Sequence, residues 1–298
     1  MKNYNIQMRD AYISRIYELA KKNKDLIFVT NEQGAASLDI LRENLPNQFI
    51  NAGISEQNII TTAAGLAYAG KRVIVYSIAT FITLRCFEQI KIDLCVMKLP
   101  VTIVGVGTCY SYSTDGPTHH ATEDISIMRS LANIEIFSPA DAIQAHKLAD
   151  YSLKNRNPVY IRLDREKQNI INNINFNPNN GFNKLSNGSK NCIISTSNMV
   201  NNCLEVVKIL SKDKLKVKLI DMYKLKPLNK GLIKELKNIT NIFTVEEHSL
   251  NGRADIWDPT KHVVVLLPTF FNSFDMYVAP LMLTVPELGF CPYTTKQN

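Results

Sequence analysis

Two short strings gather side chains suited to acid–base chemistry. Gly53-Ile54-Ser55-Glu56-Gln57-Asn58 puts a carboxylate at the opening of an alanine-rich stretch. Thr114-Asp115-Gly116-Pro117-Thr118-His119-His120 sets an acid and two histidines on one short segment. Taken alone, Glu56 is a carboxylate in a first helical turn, where the helix dipole favours negative charge. Gly116-Pro117 is a turn signal, and a lone histidine in a loop is ordinarily a surface residue. Here, however, the acid and both histidines follow an apolar strand, and ligands of open parallel sheets bind at that edge.

Two further clusters are candidates on residue type. Pro158-Val159-Tyr160-Ile161-Arg162-Leu163-Asp164-Arg165 ends a strand with two arginines around an acid. An Arg–Asp surface pair there contributes little, whereas a guanidinium fork is well matched to phosphate oxygens. The stretch Ala79-Thr80-Phe81-Ile82-Thr83-Leu84-Arg85-Cys86-Phe87-Glu88-Gln89 carries Phe81 and Phe87 at a spacing usual for core residues.

The elements that position these residues follow an α/β alternation. Short β-branched runs at 26–30, 48–51, 72–78, 101–106, 133–138 and 158–163 predict strands. Helix-period segments at 9–22, 55–69, 84–97 and 141–154 lie between them, with Gly70 and Asn155 at expected helix stops. Near-continuous apolar strands separated by amphipathic helices predict a parallel sheet covered on both faces. Between 168 and 190 the composition shifts to Asn, Gly, Ser and Lys, which reads as a linker. Strands at 192–196, 216–220 and 242–245 and helices at 200–210 and 230–237 then resume the alternation. The expectation is a first domain over 1–170, a linker over 171–190 and a smaller α/β domain over 191–298. The segment after Gly252 offers no helix to close that domain, although 262–267 has the character of a final strand.

Composition excludes several classes. The chain has 298 residues, 45% hydrophobic and 20% charged, as a globular protein of two domains has. No apolar run approaches the ~20 residues of a membrane span, and no signal-peptide pattern opens the chain, so a cytoplasmic address is expected. The net charge of +7 is spread as lysines on amphipathic segments, without an arginine cluster or a basic stripe among aromatics, so nucleic-acid binding is not expected. The six cysteines form no Cys-x-x-Cys pair and no zinc-ligand spacing, consistent with reduced core thiols.

The strand–acid–helix unit at Glu56 and the Asp115–His120 loop together resemble the pyrimidine-binding half of transketolase-type thiamine diphosphate enzymes. Phe137-Ser138-Pro139-Ala140-Asp141, Thr196-Ser197-Asn198-Met199-Val200, Ile220-Asp221-Met222 with Lys226-Pro227-Leu228, and Val245-Glu246-Glu247-His248 continue the likeness in order, over roughly residues 5 to 252. The resemblance implies that Glu56 hydrogen-bonds N1′ of the cofactor's aminopyrimidine ring, which requires a largely desolvated acid. It places Ile54, Phe81 and Phe87 at the ring; a third aromatic of some relatives is Leu84 here. Asp115 and His119 are implied as contacts to donor-sugar hydroxyls and helpers in proton movement, with His120 a lesser candidate. Arg165 is implied as the grip on the substrate phosphate, with Arg162 second.

The family also needs a Gly-Asp-Gly…Asn motif to hold the cofactor diphosphate through Mg²⁺. The sequence contains no Gly-Asp-Gly. The resemblance therefore implies a partner chain carrying that motif, a split transketolase, and a homodimer of heterodimers. The implied reaction is transfer of a two-carbon ketol unit from a ketose phosphate to an aldose. Alternatives are the β-subunit of a 2-oxoacid dehydrogenase, which lacks the Asp-Gly-Pro-Thr-His loop, a deoxyxylulose-phosphate synthase-like enzyme, and a non-catalytic remnant. The tail departs from the family after Gly252, by divergence, truncation or a shifted reading frame.

Overall fold

The computed structural model describes residues 4–32 and 34–249, with the backbone of residues 262–266. The tail that departs from the family pattern otherwise lies outside the described residues. Six strands run parallel in the first sheet: β1 (Leu26–Thr30), β2 (Phe49–Asn51), β3 (Arg72–Ile78), β4 (Val101–Val106), β5 (Glu135–Phe137) and β6 (Val159–Leu163). The second sheet holds β7 (Asn183–Ser186), β8 (Asn191–Ser195), β9 (Val217–Asp221), β11 (Asn241–Val245) and β12 (His262–Leu266); β10 (Lys224–Lys226) lies elsewhere. The helices are α1 (Met8–Ala20), α2 (Asp39–Asn44), α3 (Glu56–Tyr68), α4 (Ala79–Thr83), α5 (Phe87–Gln89), α6 (Asp124–Ser130), α7 (Ala142–Ser152), α8 (Met199–Lys212) and α9 (Gly231–Leu236).

The first sheet has the order β10-β5-β6-β4-β3-β1-β2 and buries both faces, as its continuous apolar strands require. Alternate residues of one strand feed opposite cores: Leu26 and Phe28 pack with α1 and α7, while Ile27 and Val29 pack with α3 and the segment after α5. Small buried residues on α3, namely Ala63, Ala64 and Ala67, sit in that second core. Helix α3 ends as predicted at Gly70, whose φ is +89°. The bonds Gly70 N–H to Ala67 O and Lys71 N–H to Leu66 O close a Schellman cap there.

Three expectations need correction. The helix expected over 84–97 is instead the short α5 running into a π-helix at Ile90–Val96. Thr83 Oγ1 donates back to Ala79 O at 2.7 Å, and Cys86 leaves helical geometry with φ −105° and ψ 10°. The segment read as linker contains β7, an antiparallel edge strand on β9. Residues 224–226, which fall within the range expected for the second domain, form β10, which crosses to the first sheet and pairs antiparallel with β5. Its lysines look like surface residues in sequence, yet their stems cover protein and their ammonium groups find fixed acceptors. Lys224 pairs with Glu135 above the Phe137 ring, and Lys226 donates to the carbonyls of Arg129 and Leu131. Together with the Ser138 N–H to Tyr223 O bond of 2.8 Å, this strand ties the two sheets together.

Candidate active site

The chain passes from β1 to β2 on one side and then returns to β3 on the other side of β1. The carboxyl ends of β1 and β3 therefore form a switch point, the usual crevice for a ligand in such sheets. Asn31 follows β1, Glu56 opens α3, and Phe81 sits in α4 directly after β3. The approach to Glu56 turns at Gly53, whose φ is +71°. Ser55 Oγ donates to Ala52 O at 2.7 Å and holds that turn. The Glu56 carboxyl consequently points inward and is only 6% exposed. Its Oε1 accepts from Asn31 Nδ2 at 2.9 Å and lies 3.3 Å from Arg85 Nη1. The Arg85 guanidinium carbon stands 4.0 Å from the centroid of the half-buried Phe81 ring.

The expected aromatic pair divides. Phe81 faces the crevice and also meets the His119 ring, edge to face, at 5.0 Å. Phe87 is half-buried and packs against the core that α3 covers. Ile54 is 82% exposed and stands at the surface of its own chain.

The histidine loop is built on Gly107, whose φ is +73°. A Cβ at this position would lie 1.9 Å from the Tyr112 ring, so only glycine lets that ring lie down on the backbone. Reciprocal bonds between Cys109 and Ala121, of 3.1 and 2.9 Å, clamp the loop at its base. His119 is held between Phe81 and Tyr112, 5.9 Å from the latter ring, and its Nδ1 lies 3.0 Å from Thr118 Oγ1. His120 packs edge-on to Tyr110 at 5.0 Å, and its buried Nε2 has no hydrogen-bond partner among the described residues. Asp115 is exposed at the end of a short turn, Ser113–Asp115.

The two arginines at the end of β6 have opposite fates. Arg165 is exposed and lies over the Tyr112 ring at 4.9 Å, adjacent to the histidine loop. Arg162 is 1% exposed and is fully engaged: Nε and Nη2 donate to the two oxygens of Asp124 at 2.6 and 3.0 Å. Its Nη1 reaches Ser138 Oγ at 3.0 Å and its Nη2 reaches Cys109 Sγ at 3.4 Å. The expectation that Arg162 is a second phosphate contact is therefore corrected; no face of its guanidinium is open. Asp164 does not pair with Arg165 at the surface either. It is buried, accepts from Ser111 Oγ and the Glu166 N–H at 2.9 Å each, and burial pushes its carboxyl up to about 6.

Residues 4–169 match the family "Transketolase, pyrimidine binding domain", and residues 181–254 match "Transketolase, C-terminal domain". The chain belongs to the transketolase family. An apulose-4-phosphate transketolase subunit of Phocaeicola vulgatus is 33% identical over 85% of this chain and 82% of its own length. A putative transketolase C-terminal section of Methanocaldococcus jannaschii is 32% identical over 82% of this chain and 78% of its own. The solved structure of a split-gene transketolase, an inactive beta4 tetramer, superposes with a TM-score of 0.75 at 30% identity, covering 83% of this chain and 82% of that one. The matched families begin the second domain at 181, in keeping with β7 at Asn183–Ser186 rather than a linker running to 190.

Within this transketolase-family chain, sequence reading missed three residues of the crevice. Asn31, 3% exposed, orients Glu56; its signal was an amide placed directly after a strand that is apolar up to its last residue, Thr30. Arg85 lies inside the string already singled out for its aromatics. Tyr112 organises His119 and Arg165 together. Burial raises its phenol pKa while the charges of Arg165 and Arg9 oppose the rise, so a second guanidinium, from α1, lies near the same ring. Among the described residues, no helix is long and apolar enough to cross a membrane.

Proposed function

We propose that this chain is the pyrimidine-binding subunit of a two-chain, thiamine diphosphate-dependent transketolase that moves a two-carbon ketol unit from a ketose phosphate to an aldose. The observation that carries this reading is the buried Glu56 carboxyl at a helix N-terminus, facing the same crevice as Phe81 and His119. The residues fit the cofactor's ring: a desolvated acid for the N1′ edge and an apolar aromatic wall for the flat face. When bound, the cofactor supplies the electron sink for breaking a carbon–carbon bond.

The roles of this chain's own residues follow from where they sit. Asn31 fixes one Glu56 oxygen and so sets the direction in which the acid presents itself. His119, wedged between two rings beside Phe81, is placed to hydrogen-bond a donor hydroxyl and to carry its proton. His120 offers an unpaired buried nitrogen on the same loop, and Asp115 lies at the loop's exposed tip. Arg165 at the rim is positioned to hold a sugar phosphate in a bidentate grip. The Asp-Gly-Pro-Thr-His loop favours a sugar donor over a 2-oxoacid, and the intact acid–base set argues against a non-catalytic remnant.

Mg²⁺ and the diphosphate are assigned to a partner subunit with a Gly-Asp-Gly…Asn motif, in a homodimer of heterodimers in the cytoplasm. The exposed apolar side chains Ile54, Leu84, Ile92, Val96 and Met97 around α3 and the π-helix support a covered face there. Ile54, expected at the cofactor, would meet it only in such an assembly. The deciding experiment is co-expression with that partner, followed by cofactor binding and turnover, with apulose 4-phosphate as the first donor tried. Glu56→Gln should lower turnover by roughly 100-fold or more while the complex still assembles. Wild-type rates in that variant would remove Glu56 from the mechanism. Tight Mg²⁺–thiamine diphosphate binding by this chain alone would refute the split site.

A further inference from the structure

The Arg85 guanidinium occupies the place that the proposed function gives to the aminopyrimidine ring. It lies 4.0 Å from the centroid of Phe81 and 3.3 Å from Glu56 Oε1, in contact with the aromatic wall and the buried acid at once. We infer that Arg85 is an internal place-holder for the cofactor's ring, which the cofactor must displace to enter. The inference rests on the assignment of Glu56 and Phe81 made above.

The chemistry of the two occupants is alike. A guanidinium and a 4-aminopyrimidine are both flat, both meet the carboxyl group through an edge nitrogen (the guanidinium N–H donates to the carboxylate, whereas N1′ accepts from the protonated acid), and both lay a π-surface on an aromatic ring. They cannot share one slot. The attachment of Arg85 is also of the releasable kind. Its side chain is 50% exposed and comes no nearer to Glu56 than 3.3 Å. Its backbone, by contrast, is anchored, because the Arg85 carbonyl accepts from Gln57 Nε2 at 3.0 Å. The side chain can thus swing while the chain beneath it stays in place. The same molecule shows what a permanent pairing looks like: Arg162 and Asp124 are 1% and 0% exposed and joined by two short bonds.

A place-holder reduces apparent affinity by the fraction of molecules in which the slot is open. It also keeps a buried carboxylate and an apolar wall covered before the cofactor arrives. The sign of the effect separates this role from simple attraction. Thiamine diphosphate is an anion, so a basic residue near the site acting only through its charge strengthens binding, and its removal weakens it. Removal of a place-holder does the reverse.

The test is titration of thiamine diphosphate, with saturating Mg²⁺, into the complex assembled with the partner subunit, for wild type, Arg85→Met and Arg85→Lys. Arg85→Met should bind roughly 5- to 30-fold more tightly, the range expected for losing one exposed ion pair and one cation–π contact. Arg85→Lys, which keeps the charge and loses the flat surface, should fall between. Unaltered melting of both variants confirms that the fold is kept. Equal or weaker binding by Arg85→Met, beside clear binding by wild type, overturns the place-holder role. Absence of binding in all three complexes overturns the cofactor assignment itself, and this inference with it.

Discussion

Replacing Asp124 with asparagine leaves the Arg162 guanidinium buried without its counter-charge, and the contacts set the size of the penalty. Both side chains are inaccessible, at 0% and 1%, and the pair is bidentate at 2.6 and 3.0 Å. Tyr160 OH donates to the same carboxylate at 2.7 Å. What remains for the cation is the Ser138 hydroxyl and the Cys109 sulfur, both neutral. His248 Nε2 lies 3.9 Å from Asp124 Oδ1, but burial lowers its pKa, and a protonated ring would add positive charge rather than replace the lost negative. Breaking one side of a buried pair costs about 3–5 kcal/mol. At roughly 2–4 °C per kcal/mol for a large chain, melting should fall by about 6–20 °C. Replacing both partners, as in Asp124→Leu with Arg162→Met, leaves no stranded charge and should cost less than either single change. Urea unfolding of the full-length chain measures Asp124→Asn, the two single changes Asp124→Leu and Arg162→Met, and their double. A cost below about 1 kcal/mol for Asp124→Asn, or a double variant equal to the sum of the singles, refutes the reasoning and reopens a ligand role for Arg162.

Two other outcomes are expected. Arg165→Gln should leave melting unchanged and raise KM for a phosphorylated donor by roughly 10- to 100-fold, the loss of one charge-assisted grip, while an unphosphorylated donor is unaffected; equal effects on both donors would detach Arg165 from the phosphate. Burial pushes the Asp221 carboxyl up to about 8, against the bond it accepts from Gln144. The folded chain therefore holds a proton there that the unfolded chain has released, and this contribution to stability is present in acid and is lost as pH rises from about 4 to about 8. Asp221→Asn should flatten melting temperature against pH across that window; an unchanged slope would show that Asp221 ionises normally.

Much of the site was legible because its signals are local. Glu56 follows a strand and opens a helix, and the histidine loop follows another strand, so period and turn chemistry alone put both at the carboxyl edge of a parallel sheet. Phe81, whose spacing alone reads as a core residue, was placed at the crevice by the family resemblance. The two arginines at and just beyond the end of β6 show the limit. They stand three residues apart and are chemically identical, yet one is enclosed by Asp124 and Ser138 and the other is exposed over Tyr112. Their partners come from distant segments, and no spacing within β6 encodes which arginine they will meet. The lysines of β10 misled for a related reason: a charged residue is read as exposed until an acceptor such as Glu135 or the Leu131 carbonyl is known to be waiting for it.

By itself, then, the sequence determined the α/β alternation, the transketolase likeness and the identity of the acid and the imidazole groups, since each depends on residue type and short-range order. The tertiary structure alone decided that Arg162 is a buried counter-ion and Arg165 an exposed cation over an aromatic ring, that Phe87 packs against the core, and that Arg85 lies between Glu56 and Phe81. Those outcomes depend on which surfaces meet across the fold, and burial and charge pairing are set there by neighbours far apart along the chain.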